Sequence, residues 1–538
     1  MMKQITRRFG SLNKIFGDEM VDFVTRGGVY RGKNFVGGRW EESAKHEEIP
    51  DPLSGKTMCL TPVNSDVAEA KRVISELAKC PKSGLHNPFK DPGAYRRWGD
   101  VMTRATMQLH RKEVESFFLA LNQRVMPKSE SECFKEFVVT RQFVENFGGD
   151  NPRFALRGFG VAGDRNGGIS QGWRFPFGPC MMISPFNFPI EIFGLQLIGG
   201  LIAGNKILAK PDSRVGVVGE ALVRLLLHCG MSAESLIFLY NNGPNTEQLI
   251  REGLDVIRLL QFTGSSVVAE RLSQLLHGKI RMEDSGMNWK ILGPDVSDLS
   301  FVAGQTDQDA FACSGQKCSA LRLLFVHENW SKTDLLDQVS ARAKQRSYKD
   351  RTLSPILTWS NQRLSTHVEK VLAVPGARLV TGGRPVEEKL DIPTQYGTFQ
   401  PTLIEVPLSA FEDPKHFQTL TSEVFAPFTL AVTYKHTELP KVLSVMERVK
   451  FHLTAGVVSN DLRFINKILG ESVNGVTYAG VRARTTGAPQ NHWFGPSNDP
   501  RGGGIGTIEA IQHTWTSHRE IVFDSGELDL TEQPPVQG

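Results

Sequence analysis

Residues 179–275 repeat one pattern, and it leaves few folds open. Short apolar runs at 179–184, 205–209, 236–240 and 255–262 alternate with stretches of helical periodicity at 190–203, 215–229 and after Ser266. Strands separated by helices of this length pair in parallel, with helices on both faces of the sheet. In such sheets ligands bind beyond the carboxyl ends of the strands. That rule gathers Asn187, Lys210 and the Gly264-Ser265 turn at one rim. Gly264-Ser265 leads into a helix whose Val268, Leu272 and Leu275 are expected to face inward, and its first N–H groups and dipole suit a pyrophosphate. No G-x-G-x-x-G accompanies it, and an ordinary N-capping serine looks the same at this level. Lys210 is placed to reach a ribose or a phosphate, although a strand-end lysine is more often only solvated.

At 538 residues the chain needs more than one core. It is 40% hydrophobic and 22% charged, the balance of a soluble globular protein, and no apolar run of about 18 residues is present to span a membrane. A net charge of +4 without a basic stripe interleaved with aromatics argues against a nucleic-acid partner. Seven scattered cysteines, with no Cys-x-x-Cys and no His cluster, form neither a disulfide framework nor a metal site, and point to reduced thiols. The first 17 residues carry Lys3, Arg7, Arg8 and Lys14 and no acid, with Ile5, Phe9, Leu12 and Phe16 on one helical face. This has the form of a mitochondrial transit peptide, the alternative being a basic tail. Residues 29–62 read as short strands and turns, and 65–147 as helices opening on a Ser65 cap. Residues 154–177 read as a Gly-rich hairpin arm, and 505–523 as strand-like alternation that pairs with that arm.

Cys313 and Cys318 lie five residues apart in a stretch crowded with small residues, Phe311–Ala320. Gly315-Gln316 bends the chain, and Lys317 and Ser319 flank Cys318. A neighbouring cation lowers a thiol pKa, which makes Cys318 a candidate nucleophile. The other reading, two cysteines packed in a core, is retained for Cys313. Glu283 stands 35 residues before Cys318, and a carboxylate beside a thiol can serve as general base for the thiol or for water. Residues 422–427 form an acid–aromatic–Pro turn, and 475–506 is a Gly-, Arg- and Thr-rich stretch of the kind that binds ligands.

Ser184-Pro-Phe-Asn-Phe-Pro189, Lys210-Pro211, Phe262-Thr-Gly-Ser265, Glu283, Ser314-Gly-Gln-Lys-Cys318 and Glu423-Val-Phe-Ala-Pro427 follow one another in the order and near spacing of a known family. Over residues 25–525 the chain resembles the aldehyde dehydrogenase superfamily. Its stretches 281–295 and 486–495 resemble the plant-type Δ1-pyrroline-5-carboxylate dehydrogenases, a mitochondrial branch that oxidises glutamate γ-semialdehyde to glutamate in proline catabolism. The resemblance implies an α/β fold. A Rossmann-type parallel-sheet cofactor domain would span 26–156 and 177–284, an α/β catalytic domain 285–505, and a β-arm for oligomerisation 157–176 and 506–524. A transit-like segment 1–25 and a tail 525–538 complete the division. It also implies a homodimer or higher homo-oligomer in the mitochondrial matrix, a small aldehyde substrate, NAD as cofactor and no metal.

The residue roles carried over by that resemblance are specific. Cys318 would be the nucleophile, Glu283 the base and Asn187 an oxyanion donor. Ser184, Phe186, Lys210, Ser213, Gly264, Ser265, Glu423 and Phe425 would surround the cofactor. Phe186, Ser319, Phe494, Gly502 and Gly503 would contact the substrate, the two glycines and Ser319 through its α-carboxylate. Two departures stand out. Family members that prefer NAD often carry Glu three residues after the lysine, where this chain has Ser213, which leaves NADP open. Asp284-Ser285-Gly286 replaces the usual Leu-Gly-Gly. A dehydrogenase of another semialdehyde, or a cysteine hydrolase or acyltransferase using Cys318 and Glu283 without nicotinamide, are the competing readings.

Overall fold

The computed structural model describes residues 12–63, 66–155, 157–162, 168–487 and 492–523. Its strands, in chain order, begin with β1 (Tyr30–Arg31), β2 (Asn34–Val36), β3 (Arg39–Glu41), β4 (His46–Pro50), β5 (Thr57–Pro62), β6 (Phe159–Ala162) and β7 (Ile169–Pro176). They continue with β8 (Pro179–Ser184), β9 (Lys206–Pro211), β10 (Leu236–Phe238), β11 (Leu259–Thr263), β12 (Ile280–Glu283) and β13 (Asn288–Leu292). The remainder are β14 (Leu321–His327), β15 (Arg378–Thr381), β16 (Thr402–Glu405), β17 (Phe428–Tyr434), β18 (Thr454–Val458), β19 (Val476–Ala479) and β20 (Thr516–Phe523).

The alternating stretch builds the centre of a seven-stranded sheet ordered β12-β11-β8-β9-β10-β2-β3. Its five strands from β8 to β12 run parallel, and β2–β3 extend it antiparallel. Every residue of β8 and β9 is buried, which is why these strands read as continuous apolar runs rather than alternation. The helix Glu191–Ile202 between them is buried nearly all round. A second seven-stranded sheet, β15-β16-β17-β14-β13-β18-β19, takes up the chain after Glu283. The crossing at 284–287 therefore brings the edge of one sheet beside the other. The small sheets β1-β5-β4 and β20-β7-β6 complete the strands. All seven cysteines are free thiols. Among the described residues no helix is long and apolar enough to cross a membrane, and no cluster of His, Cys, Asp or Glu could hold a metal.

Four local expectations change. Residues Ile508–Trp515 form a helix, with β20 starting only at Thr516. Thr507 accepts from Ala510 N to cap it, and Ala510, Ile511, Thr514 and Trp515 face inward at helical spacing. All eight residues of β20 then pair with β7, as expected for the arm. In the helix Ser266–Leu275, Ala269 and Leu272 face the core while Val268 is exposed. The helix Val67–Ala78 is capped by Asp66, whose side chain accepts from Ala68 N, and Ser65 lies outside the described residues. Finally, residues 12–26 belong to the folded body. Leu12, Ile15, Phe16, Met20, Val21 and Phe23 are buried, and Phe16 stacks on Phe117 at 4.0 Å. The apolar face expected of a separate leader at 12–16 thus packs on a core helix. Ile5, Phe9 and the basic residues before them, together with the tail 525–538, lie outside the described residues.

Candidate active site

A cleft of about 1350 Å³ opens at the carboxyl ends of β8, β9, β11 and β12, where the second sheet's loops face the first. Asn187, Glu283, Cys318, Phe186 and Ser184 line it, as do Lys210, Ser213, Gly264, Ser265, Glu423 and Phe425. Residues spread over 242 positions of sequence (184 to 425) therefore share one cavity, because parallel strands deliver their following turns to the same rim.

The loop before Cys318 is held in an uncommon conformation. Cys313, Ser314 and Gly315 all have left-handed backbones, with φ of 54°, 51° and 64°. Only the last is free of a side-chain penalty, so the surroundings must over-determine the other two. They do so by hydrogen bonds from several elements. Ser314 Oγ accepts from Ser354 N (2.7 Å) and donates to Ser354 O (3.1 Å). Gln316 Nε2 donates to Pro355 O (3.0 Å) while its Oε1 accepts from Leu357 N (2.9 Å). Buried Arg322 donates to Gly315 O (2.8 Å), and Asn288 Nδ2 donates to Cys318 O (2.7 Å). At Gly286 a Cβ would lie 1.9 Å from the Cys318 carbonyl oxygen, so glycine is required there although the residues before it depart from the family pattern.

Around the thiol the donors and acceptors are few and specific. Asn187 Nδ2 gives one hydrogen to Gln316 O (3.2 Å), and an amide has two. Glu283 Oε1 is buried without a hydrogen-bond partner. Burial pushes the Glu283 carboxyl up to about 7, helped by the charges of Asp284 and Glu423 and opposed by its hydrogen bond to Cys318. Burial and the Glu283 carboxylate push the Cys318 thiol well above its ordinary value. This corrects the expectation that Lys317 lowers it. The Lys317 ammonium lies 3.7 Å from Glu132 and acts on Cys313 instead. Cys313 donates to Glu132 Oε2 (3.4 Å), and burial pushes its thiol up to about 12, an inert core group. The group beside the Cys318 thiol is thus the Glu283 carboxyl, to which it is hydrogen-bonded, and not a cation.

The outer half of the cleft has the donor set for a dinucleotide. Lys210 is buried near the end of β9, and burial lowers its pKa against the opposing charges of Asp212 and Glu47. Ser265 begins the helix Ser266–Leu275 with its side chain uninvolved in capping, so the helix N-terminus faces the cavity. Gly264 N donates to Glu283 O (3.1 Å) and ties β11 to β12. Pro244, Val267 and Val268 offer an apolar wall at the far end, which explains the exposure of the two valines. At the inner end Glu423 accepts from Gly286 N (3.1 Å), and burial raises its pKa. Phe186 meets Phe425 edge-on at 6.0 Å and carries Arg214 over its ring at 4.3 Å.

Residues 40–514 match the model of the aldehyde dehydrogenase family. The chain belongs to the aldehyde dehydrogenase family. It is 47% identical over 497 residues to Delta-1-pyrroline-5-carboxylate dehydrogenase 12A1, mitochondrial, of Arabidopsis thaliana, a match covering 92% of this chain and 89% of that protein. Among solved structures, aldehyde dehydrogenase 21 from Physcomitrella patens in complex with the reaction product succinate superposes with a TM-score of 0.78 at 18% identity, over 93% of this chain and all of that one. PnpE in complex with nicotinamide adenine dinucleotide gives 0.78 at 18% identity, over 94% of this chain and 99% of that one. These two show the fold.

In this aldehyde dehydrogenase the expected substrate contacts are only partly assembled. Ser319 is buried beside Cys318, and Phe494 is buried with its N–H donating to Ile505 O (2.9 Å). Neither lines the cleft described above. Gly502 and Gly503 are corrected as carboxylate donors. Gly502 N donates to Asp499 O (2.8 Å), Gly503 N to Met282 O (3.0 Å) and Gly504 N to Thr514 Oγ1 (3.1 Å). A single parallel bridge joins Gly502 to Met282, and the N–H groups of the loop already have partners. Glu191 was not singled out from the sequence. Burial, then the charge of Glu136, pushes its carboxyl up to about 8, and it lies within electrostatic reach of Glu283 and Cys318. Its signal is the one charged residue of an otherwise uncharged, mostly apolar helix, Glu191–Ile202.

Proposed function

We propose that this aldehyde dehydrogenase oxidises glutamate γ-semialdehyde, the open form of Δ1-pyrroline-5-carboxylate, to glutamate with NAD. The carrying observation is that Cys318, Glu283 and Asn187 meet in one cleft whose outer half suits a dinucleotide. Glu283 takes the proton of Cys318 Sγ, and the thiolate adds to the aldehyde carbon to give a thiohemiacetal. The second Asn187 N–H and the Cys318 N–H hold the oxyanion. A bound nicotinamide would supply the acceptor for the hydride that leaves that carbon. Cys318 then carries the acyl group as a thioester. After releasing its proton to solvent, Glu283 takes a proton from the water that attacks the thioester, and the carboxylic acid leaves Cys318.

Lys210 would hold the adenosine ribose, Ser265 and the helix behind it the pyrophosphate, and Glu423 the nicotinamide ribose, with Phe425 beside it. Ser319 remains a contact for the substrate carboxylate. The name of the Arabidopsis relative supports the same branch, and its mitochondrial designation, with the acid-free basic start, supports the mitochondrial matrix.

Steady-state kinetics test this reading. Glutamate γ-semialdehyde is expected to exceed succinate semialdehyde and propanal in kcat/KM with NAD. Equal kcat/KM for all three aldehydes would refute the substrate assignment. Thioester hydrolysis with no reduced dinucleotide formed from any aldehyde would favour the hydrolase instead.

A further inference from the structure

The cofactor end of the cleft contains a carboxylate from a distant part of the chain. Ser213 stands where NAD-preferring relatives often carry Glu, and its Oγ donates to Asn241 O at 2.9 Å, so it offers that hydrogen to the protein. Asp212 is closed off by Arg214, through Nε to Oδ1 (2.9 Å) and Nη2 to Oδ2 (2.7 Å). Glu47 is different. It lies on β4, which packs against the 213–215 turn, and it lines the same cleft as Lys210 and Ser213. Its Oε2 is shut off from solvent and has no hydrogen-bond partner. Lys210 lies close enough to sense its charge. A buried carboxylate oxygen without a donor is costly, and a ligand hydroxyl can remove that cost.

We propose that Glu47 accepts hydrogen bonds from the adenosine ribose hydroxyls, opposite Lys210, and that its charge excludes the 2′-phosphate of NADP. Strand β4 thereby supplies in space the carboxylate absent from position 213. The inference deepens the proposed NAD dependence and rests on it. Two of the cations that line the cleft are engaged elsewhere. Arg214 is committed to Asp212 and to Leu357 O (3.2 Å), and Arg271 to Glu247 (2.5 Å). A 2′-phosphate entering here would meet Lys210 and the Glu47 carboxylate, while the charges of Asp212 and Arg214 offset each other.

Glu47→Gln keeps the side chain's shape and removes its charge. The full chain's affinity for NAD and for NADP is measured by calorimetry without aldehyde, and kcat/KM for each cofactor is measured alongside. The wild type is expected to bind NAD more tightly than NADP. Glu47→Gln is expected to shift the NADP-to-NAD ratio of both Kd and kcat/KM toward NADP by about 10- to 100-fold. Glu47→Asp, which retains the charge on a shorter arm, is expected to weaken NAD and still reject NADP. Ratios unchanged within about twofold in Glu47→Gln, with a wild type that binds and reduces NAD, would overturn the role of Glu47 and leave the proposed function standing. A wild type that binds neither dinucleotide would overturn both.

Discussion

Cys318 and Glu283 share surroundings that favour the neutral form of each. Burial and the nearby acids raise the Glu283 carboxyl to about 7. A general base works only when deprotonated, so below that pH Glu283 accepts a proton from neither the thiol nor water. Turnover is therefore expected to rise with pH through about 7 and level off above it, as read from a pH profile of kcat. Asp284→Asn removes a charge that raises the Glu283 pKa, so its rising limb is expected at lower pH. A limb that stays in place would show that another group controls the step. Asn187→Ala is expected to lower kcat by about 100- to 1,000-fold while leaving the Kd for NAD nearly unchanged, because it removes a donor to charge that develops only during reaction.

The turn that carries Asn187 is set by a buried polar network beneath it. Glu136 Oε1 accepts from Ile190 N (3.0 Å) and Glu191 N (3.3 Å), filling the open N-terminus of the helix Glu191–Ile202. Glu136 Oε2 accepts from Lys128 Nζ (2.7 Å) and Asn122 Nδ2 (2.7 Å), and Lys128 Nζ lies 4.1 Å from the centre of the Phe188 ring. Both members of the ion pair have fully buried side chains. Lys128→Met leaves Glu136 charged and short of a partner, and removing one half of a buried pair typically costs about 3–5 kcal/mol. Chemical denaturation is expected to show a loss of that size, with a fall in kcat as Asn187 loses its support. A variant as stable as the wild type would show that the network does not hold the turn.

The arm concerns the whole molecule. The sheet β20-β7-β6 exposes Phe159 and Val161 on one edge strand, Val522 and Phe523 on the other, and Ile169 between them. Exposed apolar edges of this kind are where chains pair. Val161 and Val522 both stand opposite Ser170, from either side of β7. The double variant Val161→Lys, Val522→Lys is expected to reduce an oligomer to monomer, measured by light scattering on a size-exclusion column. An unchanged mass would exclude this face as the contact.

The alternation between Pro179 and Leu275 was legible because strand and helix periods are local properties, and it located β8 to β11 and their common rim. The residue types at Cys318, Glu283 and Asn187 were legible for a similar reason: their motifs are short, and their chemistry is intrinsic to the side chains. Other features depended on long-range neighbours. Lys317 looked like an activator of Cys318 until Glu132 was seen to hold it. The resemblance gives Gly502 and Gly503 to the substrate carboxylate, whereas in the fold their N–H groups go to Asp499 and Met282. Glu47 meets Lys210 across 163 positions of chain, a separation over which no local period carries information. The sequence alone determined which groups can react and which segments form the rim. Only the tertiary structure decided their protonation and their partners, because desolvation and hydrogen bonding depend on what packs around a group rather than on what precedes it.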